Sequence, residues 1–175
     1  MTAVVAVLAG GRGRRLGEPK ALADLGGAPL IARPLAAANA FETVVVAKAG
    51  TPLPDGLPVW LEPDEPVHPL VGVITALERA GGPVIALPCD MPFVTAELLS
   101  RLATGGAVCV DGRLQPFPAR FEPEWLPALR EALAREAGVR ATLEALAPET
   151  IEWDEAALRS VNTPEELAAA RAELG

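Results

Sequence analysis

Leu8-Ala9-Gly10-Gly11-Arg12-Gly13-Arg14-Arg15-Leu16-Gly17-Glu18-Pro19-Lys20 follows directly on an apolar run, Ala3-Val4-Val5-Ala6-Val7-Leu8. The run has the length and β-branched content of a strand buried on both faces. The character then changes abruptly: three glycines fall within four positions, followed by two adjacent arginines, another glycine, a proline and a lysine. Glycines let backbone N–H groups approach a ligand because no Cβ intervenes. Arginine and lysine supply the positive charge that phosphate oxygens need. A buried strand emptying into a cationic glycine-rich loop reads as a phosphate cradle. Lys20 and Lys48 are the only lysines of the chain, which makes a lysine inside this loop more than random surface charge.

The cradle is neither of the two commonest kinds. No Gly-Lys-Ser/Thr follows at the spacing of a P-loop, and the dinucleotide fingerprint counted from Gly11 and Gly13 would require glycine where Leu16 stands.

Working outward, apolar runs alternate with Ala/Leu/Glu/Arg segments of helical character, which predicts a mainly parallel sheet covered by helices. Strands are expected at Ala3–Leu8, Thr43–Ala47, Val59–Leu61, Pro83–Leu87 (the central one) and Ala107–Val110, with an extended segment over Arg113–Phe121 and a late edge strand at Thr150–Trp153. Helices are expected over Pro29–Ala38, Val73–Ala80, Ala96–Ala103 with Thr95 as cap, Pro123–Ala134, Val139–Leu146, and from Thr163-Pro164-Glu165-Glu166 onward. The expected fold is a single three-layer α/β/α domain, Rossmann-like, spanning residues 1–175.

Composition narrows the function classes. Among 175 residues half are hydrophobic and 22% charged, so a packed core is expected and disorder is not. The net charge of −8 argues against a nucleic-acid surface. An anionic ligand must then be drawn by a local cationic patch, and the first twenty residues contain one. No apolar run is long enough for a membrane span, and no cleavable signal pattern opens the chain, so a cytoplasmic protein is expected. Two cysteines, Cys89 and Cys109, with His68 as the single histidine, do not suggest a disulfide framework or a zinc site.

In open α/β sheets ligands bind beyond the carboxyl ends of the strands. That rule selects the opening loop, the Glu62-Pro63-Asp64 segment after the third strand, and Asp90 after the fourth. Asp90 sits between prolines in Pro88-Cys89-Asp90-Met91-Pro92. By position alone it can be a turn former or a magnesium ligand, since Mg²⁺ is commonly held by one or two carboxylates plus substrate phosphates. Asp64, between prolines, is likewise open between turn former and ligand contact, with Glu62 as its competitor. His68 reads as a solvated turn residue.

Taken together, Leu8-Ala9-Gly10-Gly11-x-Gly13-x-Arg15-Leu16-Gly17-x-Pro19-Lys20 resembles the signature of the nucleoside-triphosphate transferases, and within them the molybdenum cofactor guanylyltransferases. Pro88–Pro92 is similar to that family's metal-binding segment, and Pro69-Leu70-Val71-Gly72 to its Pro-Leu-Ala-Gly segment. Gly112–Pro116 and Ser160–Leu167, which contain Gln115 and Asn162, are similar to further segments of the family. The resemblance implies transfer of GMP from GTP to molybdenum-bound molybdopterin with release of pyrophosphate, Mg²⁺ as cofactor, and an acceptor delivered by cofactor-biosynthesis proteins to a monomer. It implies catalytic roles for Arg15, Lys20 and Asp90, nucleotide contacts from Leu8, Ala9, Gly10, Gly11, Gly13, Lys20, Asp64 and Asp90, and metal binding by Asp90. Some relatives carry asparagine where this chain has Ala47 or Lys48, so a base contact from that position is not carried over. A cytidylyltransferase acting on the pterin or on a sugar phosphate, and a non-catalytic nucleotide-binding module, are the alternatives. The Gly-Asp-x-Gly-Ala-Arg segment of the pterin cytidylyltransferases is absent, with Ala137-Gly138-Val139-Arg140 only a faint echo.

Overall fold

The computed structural model describes residues 3–11 and 16–174. Its frame is a seven-stranded sheet in the order β3-β2-β1-β4-β6-β5-β7. The strands are β1 (Val4–Leu8), β2 (Thr43–Ala47), β3 (Val59–Leu61), β4 (Val84–Pro88), β5 (Ala107–Val110), β6 (Arg113–Phe121) and β7 (Thr150–Glu152). β1 pairs in parallel with both β2 and β4, and β2 in parallel with β3. The extended segment expected at Arg113–Phe121 enters as the strand between β4 and β5, antiparallel to each, and β7 closes the edge parallel to β5. β4 is the middle strand of the seven, as expected for Pro83–Leu87.

The apolar runs are continuous because both faces of the sheet are covered. Val4, Ala6, Val44, Val46, Val84 and Ala86 belong to one core, and Val5, Val7, Val45, Ala47, Ile85 and Leu87 to the other. The first core is closed by α2 (Pro69–Ala80), α4 (Leu126–Ala134) and α5 (Val139–Leu146), through Leu70, Leu77, Leu129 and Leu143. The second is closed by α1 (Ala32–Ala37) and α3 (Ala96–Thr104), through Leu35, Leu98, Leu99 and Leu102. Each fully buried leucine contributes about 1.5–3 kcal/mol of transfer free energy. A third, smaller cluster joins Leu16, Ala23, Leu25 and Leu30 to Val161, Leu167 and Ala170, the last two on α6 (Pro164–Leu174). It fastens the end of the opening loop to the last helix.

Three helix starts differ from expectation. α1 starts at Ala32 rather than Pro29 because the amides of Ala32 and Arg33 bond three residues back, to Pro29 O (2.8 Å) and Leu30 O (3.3 Å), a tight turn ahead of the helix, while those of Leu30 and Ile31 reach across to Ala23 O (2.8 Å) and Ala21 O (3.2 Å). α2 starts at Pro69 rather than Val73. Pro69 occupies the first turn, where its missing N–H costs nothing, and His68 caps the helix by accepting the Leu70 N–H on Nδ1 at 3.1 Å. His68 is therefore a helix cap, not a solvated turn residue. Pro123–Trp125 forms a 3-10 turn ahead of α4, so the helix expected from Pro123 divides in two. Thr95 and Thr163 cap α3 and α6 as expected, their hydroxyls accepting from Leu98 N–H and Glu166 N–H, both at 3.2 Å.

Candidate functional site

Because β1, β2, β3 and β4 are mutually parallel, their carboxyl ends share one rim. Backbone hydrogen bonds extend the pairing past the strands and fix where each loop departs. Ala9 N–H donates to Val46 O (2.8 Å), Cys89 N–H to Leu8 O (3.0 Å) and Glu62 N–H to Ala47 O (3.0 Å). The opening loop, Lys48, Glu62 and Asp90 are thus set side by side by strand register.

Lys20 is the meeting point of three chain segments. It begins a short 3-10 turn, Lys20–Leu22, at the far end of the opening loop. Its Nζ donates to Asp90 Oδ2 and to Asn162 Oδ1, both at 2.6 Å. Asn162 is brought there from the last connection by Val161 N–H, which donates to Asp90 O at 2.8 Å, and by the capping box of α6. In that box Glu166 Oε2 accepts from the backbone N–H groups of Asn162 (2.6 Å) and Thr163 (3.0 Å). Lys20 and Asp90 keep 18% and 16% of their side-chain surface exposed, so both remain open to a ligand.

A second ionic group lies across the rim. Lys48 Nζ donates to the carbonyls of Pro63 (2.6 Å) and Asp64 (2.7 Å) and stands 3.7 Å from Glu62 Oε1. The Glu62 carboxylate is packed against two glycines: a Cβ at Gly10 would collide with Oε1, and one at Gly72 would lie 2.8 Å from Oε2. Glycine at both positions makes the room that this carboxylate occupies. Burial pushes the Glu62 carboxyl above its ordinary value, and the Lys48 charge and hydrogen bond pull back against that shift.

Two hollows adjoin these groups. One, of about 270 Å³, has apolar walls from Leu8, Val67, Pro69 and Phe117, with Glu62 and Asp90 as its acidic groups and Lys20 and Lys48 as its cations. The other, of about 480 Å³, is lined by Ala9, Gly10, Gly11, Gly17, Lys20 and Lys48. The first suits a flat, partly apolar ring with polar edges; the second, whose three glycines and two ammonium groups stand beside Glu18, Thr51 and Pro52, can take phosphate on its glycine and lysine side.

Cys89, buried beside Asp90, has its thiol pushed up to about 12, chiefly by burial and then by the Asp90 charge, against an opposing effect of Lys20. It is a packed apolar group at neutral pH, not a nucleophile. No cluster of three His, Cys, Asp or Glu side chains occurs among the described residues.

Of the residues singled out by sequence, Leu8, Ala9, Gly10, Gly11, Lys20 and Asp90 line these hollows. Gly13 and Arg15 lie outside the described residues. Asp64 is exposed and lines neither hollow; it contributes its backbone carbonyl to Lys48, while Glu62 turns its carboxylate inward. Gln115, on β6, bonds the Arg113 carbonyl at 3.0 Å, and Phe117 of the same strand reaches the smaller hollow instead. Lys48 escaped the sequence reading as a site residue. The signal available was its place one residue beyond the second strand, on the rim where ligands bind.

A family model described as the MobA-like NTP transferase domain matches residues 5–150. A molybdenum cofactor guanylyltransferase of Pseudomonas putida is 37% identical over 183 residues, a span covering 93% of this chain and 94% of that protein. One of Rhodobacter capsulatus is 40% identical over 105 residues, 55% of each chain. Among solved structures, the molybdopterin-guanine dinucleotide biosynthesis protein A of Archaeoglobus fulgidus shares the fold with a TM-score of 0.77 at 24% identity, over 98% of both chains. The 2-C-methyl-D-erythritol 4-phosphate cytidylyltransferase of Thermus thermophilus does so with a TM-score of 0.73 at 22% identity, over 99% of both chains.

Proposed function

The chain belongs to the MobA-like NTP transferase family, and from that premise we propose that it transfers GMP from GTP to the terminal phosphate of molybdenum-bound molybdopterin, giving the guanine dinucleotide cofactor and pyrophosphate. The observation that carries the reading is the Lys20–Asp90–Asn162 cluster, set on the rim beside the exposed glycine Gly11 and the larger hollow.

The acceptor phosphate is already an anionic nucleophile and needs no strong base. The barrier lies in bringing two anions together and in stabilising the departing pyrophosphate, so the site must position and compensate charge. An ammonium has three N–H donors, and Lys20 commits two of them, to Asp90 and Asn162. The third is directed at the α-phosphate as it is attacked. Backbone N–H groups of Gly10 and Gly11, with Gly13, hold the β- and γ-phosphates, and Arg15 neutralises charge on the pyrophosphate. Glu62, more than Asp64, is the group that meets the base. A carboxylate flanked by apolar walls accepts from the N1–H and N2 amino groups of guanine, whereas cytosine offers a ring acceptor at the equivalent edge.

Mg²⁺ fits this donor set. Two hard oxygens, Asp90 Oδ2 and Asn162 Oδ1, already converge on one positive charge, and magnesium is commonly held by one or two carboxylates plus substrate phosphates. Asp90 would hold the ion, which when bound supplies charge compensation to the phosphates. The protein is read as a cytoplasmic monomer that receives its acceptor from cofactor-biosynthesis proteins; no helix among the described residues is long and apolar enough to cross a membrane.

The test is pyrophosphate release measured with GTP and then CTP, with and without the pterin acceptor. Release that needs both GTP and the pterin is expected. Preference for CTP assigns a cytidylyltransferase, and binding without release assigns a non-catalytic module.

A further inference from the structure

Lys48 differs from Lys20 in one respect that bears on its role: its donors are directed at a single turn of the chain, residues 62–64. Two point at the carbonyls of Pro63 and Asp64, at 2.6 and 2.7 Å, and the third side faces Glu62 Oε1 at 3.7 Å. An ammonium held in this way turns its remaining side to Glu62, although it borders both hollows. What it does do is tie the end of β2 to three consecutive residues after β3.

Those residues include the one carboxylate packed between Gly10 and Gly72. Among the described residues Lys48 is the only cation within ion-pair distance of Glu62. The Glu62 side chain retains only 8% of its surface exposed, so an uncompensated charge there would be unfavourable. Without its partner the carboxylate has two escapes: to take up a proton, or to swing out of the glycine cradle. Either change removes an ionised acceptor from the wall of the smaller hollow.

We propose that Lys48 is a positioning residue for nucleobase selection, holding the 62–64 turn so that Glu62 remains in the Gly10–Gly72 cradle and faces the base as a carboxylate. The inference rests on the guanylyl-transfer reading and deepens it, since it names what keeps the base-reading group in place. Burial raises the Glu62 carboxyl and Lys48 lowers it, so loss of Lys48 moves Glu62 further toward the neutral form. Lys20, His68, Cys89 and Asp90 are the other titratable groups bordering the same hollow.

The experiment measures equilibrium binding of GTP, CTP, ITP and inorganic triphosphate to the full chain, in the parent and in Lys48→Met, Lys48→Arg, Glu62→Gln and the Lys48→Met/Glu62→Gln double variant. Thermal unfolding checks that each is folded; the carbonyls freed by Lys48→Met belong to exposed residues and can turn to water. Lys48→Met is expected to weaken GTP about tenfold or more, the scale of a charged hydrogen bond, to narrow the preference for GTP over ITP, and to leave triphosphate binding unchanged. In turnover the loss falls on KM with kcat nearly constant, and the acid limb of the KM profile moves to higher pH. Lys48→Arg recovers most of the loss. The double variant is no weaker than Glu62→Gln alone, because both substitutions act through one carboxylate. Additive losses, or an equal loss of triphosphate affinity, make Lys48 a direct phosphate contact and overturn the proposal. Unchanged GTP binding in Lys48→Met overturns it as well. A parent chain without preference for GTP over CTP overturns the guanylyl reading itself, and this inference with it.

Discussion

Lys20 Nζ and Asn162 Oδ1 lie 2.6 Å apart although 142 positions separate them in sequence. The same nitrogen is 2.6 Å from Asp90 Oδ2, so a loop at the start of the chain, a strand tip in the middle and the cap of the last helix close on one point. Strand register alone would not do this. It brings Lys20 and Asp90 to a common rim, and the docking of Val161 on Asp90 supplies the third partner.

Replacing Lys20 by alanine should lower kcat by about 10²- to 10³-fold, the scale of removing one preorganised donor to developing charge. Its side chain lies at a cleft, so the unfolding temperature should move far less. Pyrophosphate release per folded molecule checks this, and a variant that unfolds while its folded fraction turns over normally removes Lys20 from the chemistry.

Asp90→Asn keeps the shape and the hydrogen bond to Lys20 while deleting the charge that a divalent cation requires. Activity should fall steeply at every Mg²⁺ concentration and recover only partly at high Mg²⁺. An unaltered Mg²⁺ titration would place the metal elsewhere.

Gly10→Ala puts a methyl group where Glu62 Oε1 now sits. The obstacle is the end of a flexible side chain, so the fold should persist with a stability loss of about 1 kcal/mol, and Glu62 should be driven from its cradle. GTP affinity is expected to drop while triphosphate affinity holds. Calorimetry with both ligands reads the two effects, and unchanged GTP affinity contradicts the assignment of Glu62 to the base.

Glu62 also gives the free protein a pH signature. Its carboxyl is raised in the folded state, mainly by burial, above the ordinary value of 4.5. The stability associated with its protonated form is complete below that value and is lost as pH rises through the folded-state value. Glu62→Gln should therefore match the parent in acid and become the more stable protein as pH approaches neutrality. Unfolding midpoints across that range check the sign, and a parent that stays the more stable at neutral pH means that the Lys48 pairing outweighs the burial.

The sheet, its central strand and most helices were legible in the sequence because burial on both faces leaves unbroken β-branched runs at Val4–Leu8, Thr43–Ala47 and Val84–Pro88. Lys20 and Asp90 were legible for a related reason: each lies just beyond such a run or in its loop, and strand ends are where ligands bind. The start of α1 was not, because residues 29–33 form a tight turn of three-residue bonds docked on residues 21–23, a local geometry that periodicity does not show. Glu62 against Asp64 was not decidable either. The two are two positions apart, so the period of an extended chain would put them on one side, and the turn whose Pro63 and Asp64 carbonyls bind Lys48 leaves only Glu62 facing the hollow. Lys48 offered only its place just past the second strand; what it holds was hidden, since its hydrogen-bond partners are two backbone carbonyls, which carry no sequence signal.

The bond from Val161 N–H to Asp90 O, with the cluster that joins Leu16, Val161 and Leu167, has a consequence for biosynthesis. Translation delivers the glycine loop first and Asn162 near the end. A nascent chain can complete β1 through β4 and their parallel pairing, yet it cannot assemble the Lys20 cluster until the residues around 161–170 have been made. The enzyme's charged centre is thereby completed only after the strands that carry it have been made.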